Sequence, residues 1–94
     1  MRLRFFVDPE TGAPHIWNHG VAEDEVEAIL RQPGEDRRGS DNSRVAIGQT
    51  PAGRYLRVVY VRDPDPQSFF VVTAYELSGQ PLTAYQRRKR KKGR

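Results

Sequence analysis

The chain has 94 residues, no cysteine and a net charge of +4. That length accommodates one small domain with a modest core and excludes two-domain enzymes and barrels of eight β/α units. The absence of cysteine excludes disulfides, thiolate catalysis, iron–sulfur clusters and cysteine-based zinc sites. With no signal-peptide pattern at the start and no run approaching 18 apolar residues, a cytoplasmic protein away from membranes is expected.

Residues 2–7 (RLRFFV) are rich in aromatic and branched side chains and predict a strand. Asp8-Pro9-Glu10-Thr11-Gly12 is a turn signal. Residues 14–19 predict one or two helical turns, which Gly20 can close in a left-handed conformation. Residues 22–32 predict an amphipathic helix, because Val26, Ile29 and Leu30 fall on one face. Glu23, Asp24 and Glu25 suit its positive end, and Pro33-Gly34 stops it. Residues 35–43 hold no apolar residue and read as a polar loop. Three strands follow at 44–50, 54–62 and 68–75, separated by Pro51-Ala52-Gly53 and Asp63-Pro64-Asp65-Pro66. Residues 81–92 predict a C-terminal helix with Leu82 and Tyr85 facing inward. The order β-α-α-β-β-β-α implies an α+β fold: a small, mainly antiparallel sheet with its helices packed on one face.

Charge divides the chain into a domain, residues 1–86, and a basic tail, residues 87–94. The tail carries seven cations in eight residues: Arg87, Arg88, Lys89, Arg90, Lys91, Lys92 and Arg94. The preceding residues hold nine arginines against twelve acids. Such a block is either a solvated end or a contact for a polyanion such as RNA.

His19-Gly20-Val21 before an acidic helix, Arg44 to Gly48, Gly53 to Tyr60, and Phe70 to Tyr75 come in an order that resembles the BrnT-like toxins of bacterial type II toxin–antitoxin systems. The resemblance covers roughly residues 16–90. It implies a compact RelE-like fold, a metal-independent endoribonuclease acting on messenger RNA, including RNA on the ribosome, and neutralisation by a cognate antitoxin. Tyr75 stands where the family has arginine, and Ala22 stands where it tends to have a capping serine or threonine.

Cleavage of RNA without a metal or other cofactor needs a base for the 2′-hydroxyl, a cation for the phosphorane-like transition state and an acid for the leaving oxygen. Arg44, which matches the Arg-x-x-x-Gly strand of the family it resembles, is the candidate phosphate clamp, and Arg57, with Arg87 and Arg88, is a candidate for transition-state or substrate contact. Period-two alternation sets Arg57 on the face of Tyr55, Val59 and Val61. His19 and Tyr75 are candidates for proton transfer or base stacking. Arg87, Arg88, Lys89, Arg90, Lys91 and Lys92 are the candidate RNA contacts. His15 and His19 are four residues apart, but two histidines fall short of a zinc site. The paired phenylalanines Phe5-Phe6 and Phe69-Phe70 must face both sides of the sheet, so a partner chain, an antitoxin or a second copy, is expected over one of them. A non-catalytic module of the same fold that binds nucleic acid or protein is the alternative.

Overall fold

The computed structural model describes residues 1–92. Its elements are β1 (Arg2–Phe5), a 3-10 helix (His15–His19), α1 (Glu23–Arg31), β2 (Glu35–Arg38), β3 (Arg44–Gln49), β4 (Tyr55–Arg62), β5 (Ser68–Glu76) and α2 (Gly79–Lys92). The five strands form one mixed sheet in the order β1-β5-β4-β3-β2. β1 lies parallel to β5, and the other three pairings are antiparallel. The fold is α+β. Among the described residues no helix is long and apolar enough to cross a membrane.

Two features of the expected arrangement are corrected. Residues 35–38, expected in a loop, form the edge strand β2, paired antiparallel to β3 from Glu35↔Ile47 to Arg38↔Arg44. The sequence Glu-Asp-Arg-Arg has no apolar alternation to reveal it. Its side chains are stabilised by charge instead: Asp36 accepts from Arg44, and Glu35 accepts from Arg88. A charged edge strand also resists pairing with other chains.

The second correction concerns the helices, which cover opposite faces of the sheet rather than one. Ala46, Leu56 and Val58 join Val26 and Ile29 of α1 in one buried cluster, together with Ile16 from the 3-10 helix. Val45, Ile47 and Val59 lie on the other side with Leu82 and Tyr85 of α2. Consecutive residues of β3 and β4 thus enter different cores, as strand alternation requires. α2 continues through Lys92, so the described part of the basic segment is helical.

Local chemistry explains the helix boundaries. Gly20 ends the 3-10 helix at φ +69° and donates to the Trp17 carbonyl. Ala22 has no side-chain acceptor for capping α1. Glu25 reaches back instead and accepts the Ala22 N–H at 3.0 Å. The same carboxylate receives the Arg54 guanidinium at 2.8 Å, which ties the start of α1 to the β3–β4 turn. In β5 the register shifts opposite Val59 and Tyr60, so Thr73 pairs with Val59 and Val71 with Tyr60. This bulge brings Val71 into the α1-side core.

Gly34, at the entry to β2, lies directly beneath the Tyr85 ring of α2. A methyl group there would overlap the Tyr85 hydroxyl and sit 3.1 Å from its ring carbon. Gly34→Ala is therefore expected to destabilise the chain by about 1–3 kcal/mol in urea denaturation, the usual cost of overpacking. Adding Tyr85→Phe should recover part of that loss, because it removes the overlapping oxygen. A second expectation concerns acid. The Ala22 N–H, and then Arg54, hold the Glu25 carboxyl below its ordinary value of 4.5 against the opposing effect of burial. Its contribution is full above that value and is lost as pH falls through the lowered one. Glu25→Gln should flatten this part of the acid denaturation curve.

Candidate functional site

Arg44, Arg57, His19 and Tyr75 come from four different elements or their ends. The sheet register separates Arg44 from the rest. Arg44 pairs with Tyr60, and Arg57 pairs with Ile47 on β3 and Tyr75 on β5. Alternation puts Arg44 on the α1 face, with Tyr60, and Arg57 on the α2 face, with Tyr75.

Arg44 is engaged internally. Its Nε donates to Asp36 Oδ1 at 2.9 Å, and its Nη2 donates to the Asp36 carbonyl at 3.3 Å. The other carboxylate oxygen of Asp36 accepts the Tyr60 hydroxyl at 2.6 Å. Burial, reinforced by the Asp36 carboxylate, pushes the Tyr60 phenol above its ordinary value of 10.0, so it stays a proton donor. This triad joins β2, β3 and β4, and Arg44 is more a bond within the sheet than a free phosphate clamp.

Arg57 is the opposite case. Its Nε is buried and has no hydrogen-bond partner among the described residues. Several other arginines meet carboxylates: Arg2 meets Asp65, Arg4 meets Asp63, and Arg54 meets Glu25. A buried guanidinium nitrogen without an acceptor is costly, and an incoming anion would supply the missing acceptor.

Tyr75, across from Arg57, is half-buried and meets the exposed His19 ring edge-on at 5.9 Å between centroids. His19 in turn meets His15 at 5.1 Å, and His15 meets Phe6 at 6.0 Å. The row Phe6–His15–His19–Tyr75 therefore ends beside Arg57. The Oδ2 of Asp8 lies 3.8 Å from Nδ1 of His15. The Glu10 N–H, and then the Asn18 amide, hold the Asp8 carboxyl below its ordinary 3.8, so it is ionised at neutral pH. The structure thus brings His19, Tyr75 and Arg57 to one area. Among the described residues no group of three or more carboxylates and imidazoles gathers as a metal would require.

The basic helix is not uniform either. Arg88 makes a two-pronged bond to Glu35, at 2.7 and 2.9 Å, and so anchors α2 to the edge strand. Arg87, Lys89, Arg90 and Lys91 are exposed. Sequence reading missed the role of Arg88 because its acceptor, Glu35, lies 53 residues away. It also missed a cleft of about 820 Å³ between the end of α1, the β3–β4 turn and α2, which includes Lys89 and Arg90 in its lining.

Tyr60→Phe is expected to lower stability by about 1.5–3 kcal/mol, the worth of a hydrogen bond to a charged acceptor. Arg44→Ala should lower the thermal midpoint as well, because it breaks the bond between β3 and β2. Both are read by thermal melts.

A family profile described as a domain of unknown function (DUF4258) matches residues 17–76. Neither a curated protein nor a solved structure gives a significant match. The matched stretch runs from within the 3-10 helix to the last residue of β5. It contains His19, Arg44, Arg57 and Tyr75 and excludes β1 and α2, and on this match the chain belongs to the DUF4258 family.

Proposed function

We propose that the chain is a RelE-like, BrnT-related toxin that cuts messenger RNA without a metal, with Arg57, Tyr75 and His19 as its site. The observation that carries this reading is the Arg57 guanidinium, whose buried Nε lacks an acceptor beside a tyrosine that touches a histidine. In the proposed reaction Arg57 holds the non-bridging oxygens of a phosphodiester and offsets the charge that grows on them. His19 takes the proton of the 2′-hydroxyl as that oxygen bonds to phosphorus. The bond from phosphorus to the 5′ oxygen breaks, and Tyr75 gives that oxygen its proton. The products are a 2′,3′-cyclic phosphate and a 5′-hydroxyl. The free cations of α2 hold flanking phosphates. The exposed Phe6, Val7 and Trp17 suit a cognate antitoxin, and the protein would act in the cytoplasm.

One observation favours the non-catalytic reading. Arg44 is bound to Asp36, and the family's strand-end arginine is Tyr75, which leaves Arg57 as the one cation in this group. In that reading the same surface holds RNA without cutting it.

Purified protein incubated with translating ribosomes and with naked messenger RNA, in EDTA, separates the two. The nuclease reading expects defined cuts with cyclic phosphate ends. Arg57→Ala should slow them about 10²–10³-fold, the usual loss on removing one charge-stabilising donor, while circular dichroism is unchanged. Intact RNA that is nevertheless bound would establish the binding module and reject the nuclease. Arg87→Gln with Lys91→Gln should flatten the salt dependence of binding by about 0.7 per lost phosphate contact. Substitution is preferred to truncation because removing residues 87–94 would also remove the Arg88–Glu35 anchor.

A further inference from the structure

The cleft beside α2 is distinct from the Arg57 surface, and its lining has a consistent chemistry. One wall is the last turn of α1 with Gln32, where a helix end leaves backbone carbonyls without intrahelical donors. The opposite wall is α2, with Gln86, Lys89 and Arg90. The floor is Tyr55 and Tyr85, whose rings meet edge-on at 6.1 Å. Gln49 closes the end, with its Nε2 already donated to the Gly53 carbonyl and its carbonyl oxygen left over.

Tyr85 also lines the cleft: its ring is buried, while its hydroxyl, above Gly34, makes no hydrogen bond among the described residues and stays accessible to one. No acid lines the cleft, and neither Lys89 nor Arg90 has an ion pair among the described residues. Two cations alone would suit any small anion. Three carboxamides and an aromatic ring would then be idle, whereas a nucleobase uses them. A volume of about 820 Å³ admits a nucleotide.

We propose that this cleft binds one phosphorylated nucleoside, with its phosphate on Lys89 and Arg90 and its base against Tyr55 and the carboxamides of Gln32 and Gln49. The ligand is either a free mononucleotide or one residue of an RNA strand. The site does not depend on cleavage at Arg57, since a chain that cuts no RNA still has the cleft.

The test is a backbone amide NMR titration of the full chain with uridine monophosphate, adenosine monophosphate, uridine, inorganic phosphate and a short single-stranded RNA. A mononucleotide is expected to give saturable shifts centred on Gly34, Gln49, Tyr55 and Gln86. Uridine and inorganic phosphate should each bind at least tenfold more weakly. Lys89→Gln with Arg90→Gln should weaken the mononucleotide at least tenfold without lowering the melting temperature. Gln32→Ala with Gln49→Ala should weaken it while leaving the response to phosphate unchanged. Shifts of the same amides by RNA identify the strand as the source, and shifts by mononucleotide alone identify the free nucleotide. No saturable shift at these amides, or equal responses to inorganic phosphate and mononucleotide, overturns the proposal. Nucleotide binding without RNA cleavage removes the nuclease reading and leaves the cleft. Cleavage without nucleotide binding does the reverse.

Discussion

The centre of the sheet must be kept from water on both faces, and the rest of the structure follows from this. Val45, Ala46, Ile47 and Gly48 of β3 are all buried in succession. Alternation sends them to opposite sides, so one helix layer cannot shield them. α1 and the 3-10 helix supply one cover. The other has to come from α2, a helix with little apolar surface of its own. It is held by Leu82 and Tyr85 against the sheet, by the space that Gly34 leaves for the Tyr85 ring, and by the Arg88–Glu35 bond. The basic segment is thereby drawn onto the body of the protein, and two of its cations, Lys89 and Arg90, line a cleft. The same narrow cover leaves Arg57, Thr73 and Tyr75 half-exposed on the other half of that face.

Electrostatics then sorts side chains of one type into different roles. Arg44, Arg54 and Arg88 each meet a carboxylate and join elements that lie far apart in sequence: β3 to β2, the β3–β4 turn to α1, and α2 to β2. The shared pattern is a charged pair at the margin of a core, where water is partly excluded and a guanidinium fork keeps its geometry. Arg57 lies between hydrophobic neighbours on a central strand, and no acid reaches it among the described residues. Among the described residues it is the one arginine with a buried nitrogen that lacks an acceptor. Sites that depart from internal charge satisfaction are where an external ligand is best accommodated.

Much of the fold was legible in the sequence because it rests on short-range signals. The branched and aromatic runs of β4 and β5, the acidic first turn of α1, the Gly20 stop and the turns at Pro51 and Pro64 are all local. Period-two alternation even assigned Arg57 to the face of Tyr55 and Val59. β2 escaped notice because a charged strand shows no hydrophobic alternation, and its stability comes from Arg44 and Arg88, neither of which is its neighbour in sequence. The two-sided placement of the helices escaped for a related reason: a buried central strand shows that both faces are covered but not which helix covers which. For the site, His19, Tyr75 and Arg57 could each be named from residue type and position. That they meet depends on the β4–β5 register and on the 3-10 helix beside β5.

The sequence by itself determined the types of the elements other than β2, the absence of thiol chemistry and the concentration of cations at one end. These follow from composition and from interactions only a few residues long. The tertiary structure decided which cations are occupied and which are open. It pairs Arg44 with Asp36 and Arg88 with Glu35, leaves the Arg57 Nε without an acceptor among the described residues, and places Lys89 and Arg90 over a cleft with three glutamines. A guanidinium is always charged, so its role depends on whether an acid stands within hydrogen-bond reach, and only the folded chain sets that distance.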